Sequence, residues 1–477
     1  MPYRAKTFVH LFLDWQWFQK LKSGSRARRR PIEKAQARRW RDHWASVPRR
    51  RIETASKPAN RKRRENPMFK KRKPMWGSPS LRPSYDAVII GGGVHGLSTA
   101  YYLARNHGLR NIAVIEKRYV GFGGAGRNTS IVRANQRTKE NLPLYDEGLK
   151  LWPQLTRELN FNLMFNNCGN LNLAHSEAGL SALRLQVTTA RFYGIQSEMI
   201  DPRQCQELIP ELDISDRPRF PVFGAMYHPP GGTMRHDAVV WGLARGAAKL
   251  GVHIHQNTAV RQIGVTKGKI VSCETDRGKI QTPVILNSAG GYSARISYEM
   301  LGIRLPIQVL PIQAMVSEPL KPFLNHVISS GVYHAYASQS LKGEIVTGSH
   351  MDPWPGYTTQ VTAAYIKHQA EALTELLPCL KGIKFMRSWA GLADMTPDMA
   401  PIIDGNDPVE GYYLNCGWGY FGFKSGPVNG KYLAQFIASG QCPPILKPFK
   451  MHRYKQHQLM GETAGAVIYG PEFGWLN

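Results

Sequence analysis

Asp86-Ala-Val-Ile-Ile-Gly-Gly-Gly-Val-His-Gly-Leu-Ser-Thr-Ala-Tyr-Tyr-Leu-Ala104 is the stretch whose reading decides the fold. Ala87 to Ile90 are small or β-branched apolar residues that run straight into Gly91, Gly93 and Gly96. After them Leu97, Ala100, Tyr101 and Ala104 recur at helical spacing, so the pattern predicts a strand, a tight turn and a helix. The first glycine permits the turn, the second lets a pyrophosphate approach the backbone, and the third lets the helix pack close to the strand. Phosphates would sit on the free N–H groups of the helix's first turn, where Val94 and His95 join the candidate cofactor contacts. A second apolar run, Asn111-Ile-Ala-Val-Ile115, ends in Glu116, twenty residues after Gly96. A carboxylate there is placed to hold a ribose hydroxyl. Strand, turn, helix, second strand and terminal acid arrive together, which favours dinucleotide binding over a bland Gly-rich turn. The fingerprint alone does not separate FAD from NAD.

Outward from this stretch, composition bounds the rest. The 477 residues suffice for two or three domains with proper cores, and 42% hydrophobic with 20% charged residues is ordinary globular usage. The net charge of +28 resembles a nucleic-acid signal until it is located. Residues 1–84 hold 25 Lys or Arg against 5 Asp or Glu, a net +20, and the remaining 393 residues hold 37 against 29, only +8. This leader has basic runs such as Arg61-Lys-Arg-Arg64 and no sustained apolar periodicity, so it reads as disordered. It is an organelle-targeting segment, an RNA- or membrane-touching tail, or an extension from an upstream start codon with Met68 or Met75 as the true beginning. The expectation is no nucleic-acid partner and no membrane partner for the body of the chain. Phe8 to Phe18 contains Asp14 and is too short to span a bilayer, and no transmembrane segment follows. The six cysteines are scattered without a Cys-x-x-Cys pair, which argues against zinc or a disulfide framework and for a reducing compartment, the cytoplasm.

Past Glu116 the loop Gly121 to Arg127 closes on Asn128, Thr129 and Ser130, residues that cap helices or hydrogen-bond ligands. Arg127 and Arg133 flank it, and either one faces an anionic group or both are solvated. Residues 136–221 alternate helical patterns (Tyr145 to Leu159, Ser181 to Tyr193) with the strand-like Asn170 to Ala174, the mark of an inserted second domain. His175 ends that strand, and from spacing alone it reads as structural. A helix from Ala238 to Leu250, strands around Val252, Ala259-Val260 and Lys269, and the run Pro283 to Gly291 return to the first domain. Ala289 and Gly290 there bring backbone close to a ligand. The 298–389 stretch is strand-rich, with Pro311 to Ser317, Gly331 to Ser338 and Gly343 to Gly348 as candidates. Last, the strand Gly411 to Cys416 leads into a loop with Gly417, Gly419, Gly422, Phe423 and Lys424, and a helix opens near Pro427. That is a second helix N-terminus aimed at a ligand, or else a plain surface loop.

The fold expected is α/β, a Rossmann-like FAD domain of the glutathione-reductase type carrying an inserted α+β substrate domain. The FAD domain would comprise residues 85–135, 222–297 and 390–450, and the substrate domain 136–221 and 298–389, with a tail at 451–477. Five separated stretches carry a closer resemblance: Gly126 to Arg133, Gly169 to His175, Gly231 to Trp241, Ala337 to Gly343 and Asn415 to Pro427. With the glycine motif, they resemble the flavin-dependent amine oxidases that share a fold with D-amino acid oxidase, and within them the β subunits of heterotetrameric sarcosine oxidases. The resemblance spans residues 85–450 and leaves the leader outside.

This resemblance implies a noncovalent FAD that oxidises an N-methyl amino acid such as sarcosine, and a second flavin, FMN, attached covalently to a histidine that matches His175. Electrons would pass from FAD to FMN and then to oxygen, giving hydrogen peroxide. An α subunit would supply half of the FMN pocket and a tetrahydrofolate-using site, and small γ and δ subunits would complete the assembly. Arg133 and Lys424 match the cations that hold the substrate carboxylate in related monomeric enzymes. His334, Tyr336 and His350 are candidates for the pocket lining, His350 carried forward as a catalytic candidate. The monomeric relatives attach FAD to a cysteine within the stretch matching Arg387 to Asp404, where this chain has none. The alternative reading is a stand-alone single-flavin amine or amino acid dehydrogenase.

Overall fold

A computed structural model describes residues 74–136 and 138–460, so the basic leader and residues 461–477 lie outside the described residues. The fingerprint strand Ala87–Ile90 is the centre of a six-stranded sheet. Its order is Ile402–Gly405, Tyr412–Cys416, Ile285–Asn287, Ala87–Ile90, Ile112–Ile115 and His253–His255. All neighbours are parallel except the first pair. Ala87 to Ile90 are buried on both faces, as a central parallel strand requires. Ala87 and Ile89 pack into the core shared with helices Val94–His107, His236–Lys249 and Gly426–Ser439. Val88 and Ile90 face the other way, toward a core with Ile263, Ile270 and Ile280 from a three-stranded antiparallel meander. Strand alternation thus divides one apolar run between two cores.

The second layer system is an eight-stranded sheet. Its order is Phe385–Met395, Gln308–Pro319, Glu344–Met351, Ala335–Gln339, Val327–Ser330, Asn170–Ala174, Gly224–His228 and Glu198–Ile200. Only Val327–Ser330 and Asn170–Ala174 pair in parallel. Leu171 and Leu173 join the core formed with helices Pro202–Leu208 and Ala363–Leu376. Asn170, Asn172 and Ala174 are set on the opposite face by the same alternation, facing the first domain.

Several boundaries differ from the sequence expectation. Strand Gly224–His228 pairs with Asn170–Ala174 and Glu198–Ile200, so the segment assigned to the FAD domain from residue 222 begins in the substrate sheet. Phe385–Met395 runs across the expected boundary at 389/390 as one strand. Gly331 to Ser338 is not one strand, because a turn with His334 at φ 44° separates Val327–Ser330 from Ala335–Gln339. The helix Ala363–Leu376, capped by the Thr362 side chain accepting from Tyr365 N–H, was hidden inside a stretch read as strand-rich. The expected tail is also anchored through residue 460. Arg453 forms a buried ion pair with Asp398 at 2.7 Å and donates to the Ala400 carbonyl, and Met460 is buried.

Candidate active site

The turn after the first strand is shaped by its glycines. Gly91 has φ 111°, and a Cβ there would lie 2.5 Å from the Ser288 carbonyl oxygen. A Cβ on Gly96 would lie 2.1 Å from the Gly91 carbonyl oxygen, so Gly96 serves the helix-to-turn packing and does not line the cavity. The helix that follows has Gly93 as its N-cap, no side-chain cap and no acid in its first turn, so its free N–H groups face a cavity of about 490 Å³. Gly91, Gly93, Val94 and His95 form one wall, and Val260, Ala289 and Gly290 another. Gly290 has φ 56° and nothing within 4 Å of where a Cβ would stand, which leaves room for a ligand against the backbone.

Glu116 lines this cavity, but its carboxylate also organises the protein. Oε2 accepts from Gly92 N–H at 2.9 Å and Oε1 from Arg118 N–H at 2.9 Å. Each oxygen keeps a second lone-pair direction for a ribose hydroxyl. His95 stacks on Trp418 with ring centroids 4.5 Å apart, and Asn429 Nδ2 lies 3.1 Å from its Nδ1. Burial pushes the imidazole down to about 3, so it is neutral at pH 7. Gly422 and Phe423 complete this wall, and a Cβ on Gly422 would meet Trp418 at 2.7 Å and His95 Nε2 at 2.9 Å.

Gly417 does not line the cavity. It stands behind it, donating its N–H to Asp394 Oδ2 at 2.7 Å. Asp394 and Asn415 are functional candidates that the sequence reading missed. Both line the cavity and are at most 4% exposed. Burial raises the Asp394 carboxyl to about 6 against the backbone N–H groups that lower it. Asn415 Oδ1 accepts from the Trp418 indole at 2.7 Å, while its buried Nδ2 has no protein partner. A buried unpaired amide N–H on a cavity wall is a donor reserved for a ligand. Asn415 was visible in the sequence as the last residue before the Cys416-Gly417 turn, whereas a single acid in a strand gives no signal.

A second cavity, of about 480 Å³, adjoins the first, and the two share Gly124, Arg127, Asn128, Leu392, Gly419 and Tyr420 as walls. Arg127 is committed to backbone, with Nε donating to Ala390 O at 3.1 Å and one terminal nitrogen to Phe122 O at 2.6 Å. It ties the Gly-rich loop to the long strand Phe385–Met395. Asn128 accepts from Ser130 N–H, and Thr129 lines the second cavity only. Arg133 and Lys424 both line this second cavity and flank one ring. The Arg133 guanidinium carbon is 6.0 Å and Lys424 Nζ 5.1 Å from the Phe421 centroid. Arg133 also donates to Asn135 through its backbone and side-chain oxygens at 3.0 and 2.9 Å. Lys424 is 8% exposed, and burial first, then the Arg133 charge, hold its ammonium well below the usual lysine range. Two basic side chains thus stand on one wall of this cavity.

His334 and Tyr336 line the cavity, but His350 does not. Ser349, with φ 106°, takes the lining position, and His350 lies against the helix Ala363–Leu376. His350 packs on His368 at 4.8 Å between centroids and lies 4.0 Å from Asp352. The catalytic expectation for His350 is therefore corrected. At the far end His175 Nδ1 lies 2.8 Å from Phe220 O and 3.1 Å from Pro221 O, with Nε2 2.9 Å from Ser330 Oγ. Burial lowers its pKa, partly offset by the two carbonyls.

A dinucleotide cradle adjoining a second cavity is the arrangement of a dinucleotide-dependent oxidoreductase. The comparisons with known proteins agree. Residues 86–436 match the family described as FAD dependent oxidoreductase. The sarcosine oxidase subunit beta of Rhizobium meliloti (strain 1021) is 41% identical over 389 residues, 82% of this chain and 93% of that protein. The protein of the same description from Rhodobacter capsulatus is 38% identical over 393 residues, 82% and 94% of the two chains. Among solved structures, L-proline dehydrogenase from P. horikoshii aligns with TM-score 0.74 and 26% identity, covering 79% of this chain and 99% of that one. The chain belongs to the FAD-dependent oxidoreductases, in the group of the sarcosine oxidase β subunits. Among the described residues no helix is long and apolar enough to cross a membrane, and no group of three acids, histidines or cysteines could hold a metal.

Proposed function

We propose that this chain is the catalytic β subunit of a sarcosine-oxidase-like complex and oxidises sarcosine or a similar secondary or tertiary N-methyl amino acid. The observation that carries the reading is the pairing of Arg133 and Lys424 around Phe421, in a cavity that shares a wall with the dinucleotide cradle. FAD, the cofactor of the family, supplies a two-electron acceptor for a hydride from the substrate's C–H bond. The fingerprint glycines, Glu116, His95 and the unpaired Asn415 Nδ2 would hold it.

The chain's own residues then account for substrate choice. Arg133 and Lys424 fix a carboxylate by charge-assisted hydrogen bonds and so orient the amine end toward the shared wall. The same two charges disfavour an ammonium beside them, so the amine binds or becomes neutral, the form whose C–H bond is a good hydride donor. Arg133→Ala or Lys424→Ala should raise KM for sarcosine at least tenfold, and wild-type kinetics in both would remove their role.

Covalent FMN at His175 extends this reading. Carbonyls accept only, so Nδ1 carries the proton and Nε2 the lone pair, next to Ser330 on the cavity wall. The site thus fits attachment through Nε2. The name of the β-subunit relatives supports partner subunits and oxygen as final acceptor, and the proposal takes the partners to be α, γ and δ chains. Peptide mass spectrometry of acid-precipitated protein tests it: flavin mononucleotide mass on the His175 peptide with FAD in the supernatant supports two flavins. FAD alone, with His175 unmodified after co-expression with partners, supports the single-flavin dehydrogenase.

A further inference from the structure

The ring of His175 is held by a segment that is itself held. Phe220 and Pro221, whose carbonyls take the Nδ1 proton, follow Arg219, which is bound to a carboxylate on another element. Glu375, on the helix Ala363–Leu376, accepts at Oε2 from the Tyr333 hydroxyl at 2.7 Å and from Arg219 N–H at 3.0 Å. At Oε1 it accepts from Arg219 Nε at 2.6 Å. The Tyr333 hydroxyl in turn accepts from Phe220 N–H at 3.1 Å. Tyr333 is 1% exposed and its ring stands edge-on to both His175 and Phe220, at 5.3 and 5.2 Å between centroids. Its backbone N–H donates to Ser330 Oγ at 3.2 Å, which leaves the Ser330 proton for His175 Nε2. The Nδ1–H is shared between two carbonyls, and only the Nδ1–H tautomer of His175 satisfies those carbonyls and the Ser330 hydroxyl together. Burial alone would raise the Glu375 carboxyl, but the bonds from Tyr333 and Arg219 outweigh it and keep it ionised.

We propose that Glu375, acting through Tyr333 and Arg219, is a positioning residue that locks His175 in the Nδ1–H tautomer and so presents Nε2 to a flavin. The inference rests on the reading of His175 as the flavin attachment residue. In the attachment, Nε2 bonds to the methyl carbon on the flavin's benzenoid ring as one C–H bond of that methyl breaks. The methyl proton and the Nδ1 proton leave, and the flavin is left reduced by two electrons. Dioxygen takes those electrons and two protons, giving hydrogen peroxide and restoring the oxidised ring. A ring free to turn, or with the proton on Nε2, has no lone pair aimed at the methyl group. Nothing in this network touches the dinucleotide cradle, so its loss should spare FAD.

The test uses the full chain, as wild type, Tyr333→Phe and Glu375→Ala, incubated aerobically with FMN. The rate of flavin appearance on the His175 peptide is read by mass spectrometry, FAD content by absorbance after acid release, and the His175 tautomer by ¹⁵N-histidine NMR assigned with His175→Gln. Tyr333→Phe keeps the ring and its packing, so it separates the hydroxyl from the fold. The proposal expects Nδ1–H alone in wild type, both tautomers in the variants, attachment at least tenfold slower, and unchanged FAD. A pure Nδ1–H tautomer in both variants overturns it, whatever the attachment rate. If wild type takes up no covalent flavin even after co-expression with partner subunits, the attachment reading fails by itself, and the tautomer comparison still decides whether Glu375 positions the ring.

Discussion

Replacing Lys424 by Met should weaken carboxylate binding and strengthen the fold at once. Burial and then the Arg133 charge push the Lys424 pKa down, which means the charged form costs free energy. Lys424→Met removes that cost and keeps a linear apolar side chain in contact with Phe421. For a bound carboxylate the same change deletes a charge-assisted hydrogen bond worth about 1.5–3 kcal/mol, or a loss of about 10- to 150-fold in affinity, with Arg133 retaining the rest. The sign with pH follows. Lysine free in the unfolded chain titrates near 10.4, the folded group lower, so the unfolded state binds more protons between the two values and stability rises with pH there. The stability gained by Lys424→Met therefore shrinks as pH rises toward 10. The assay titrates methoxyacetate, a carboxylate with no amine to oxidise, into FAD-loaded protein and follows the flavin absorbance. Wild-type affinity should fall as pH rises through the depressed lysine pKa, and Lys424→Arg should hold it flat. A dissociation constant for Lys424→Met within threefold of wild type, or a Tm below it at neutral pH, would refute the reasoning.

Gly96→Ala should cost about 1–3 kcal/mol or more, because its Cβ would stand 2.1 Å from a backbone carbonyl that cannot yield as a side chain can. FAD affinity should fall at least tenfold, read by flavin fluorescence quenching, and normal FAD content would sink the assignment of this turn. His228 donates from Nδ1 to Gln196 O at 2.6 Å and accepts at Nε2 from Ala134 N–H at 3.2 Å, so protonation would set two donors against each other. Its pKa is lowered to about 4, chiefly by burial, while the unfolded value stays near 6.5, so stability is fully present above 6.5 and lost as pH falls toward 4. Urea unfolding at pH 7 and pH 4.5 should differ by about 2–3 kcal/mol from this group, and an equal difference in His228→Gln would exclude it. Arg453→Leu leaves Asp398 buried without its partner and should cost about 3–5 kcal/mol, a loss under 1 kcal/mol being incompatible with the clasp at the end of the described chain.

Local chemistry was legible and its long-range uses were not. The cradle could be read because strand, glycines, helix and acid follow one another within one βαβ unit, each constrained by its neighbours. Arg133 and Lys424 were singled out by resemblance, and the sequence left open whether Arg127 or Arg133 faces an anion. In the fold Ala390 and Phe122, far apart in sequence, bind Arg127, while Arg133 lines the second cavity and binds Asn135. His350 failed because strand alternation is a rule about regular backbone, and Ser349 at φ 106° breaks it one residue earlier. The helix Ala363–Leu376 was missed because its apolar stripe is short and follows a run of strands. Glu375, an ordinary acid near its end, gains meaning only from Arg219 and Tyr333, which no periodicity could bring to it.

The single parallel contact in the eight-stranded sheet governs the order in which this protein can come into being. Asn170–Ala174 borders Val327–Ser330, so more than 150 residues must be synthesised before that seam can close. The anion pocket comes later still, because Lys424 follows the last strand of the six-stranded sheet, Tyr412–Cys416. A nascent chain leaving the ribosome therefore presents this edge of Asn170–Ala174 uncovered for about a third of its synthesis. The interval between these events is when a chaperone has the most to protect, and a flavin arriving early would find half a cradle.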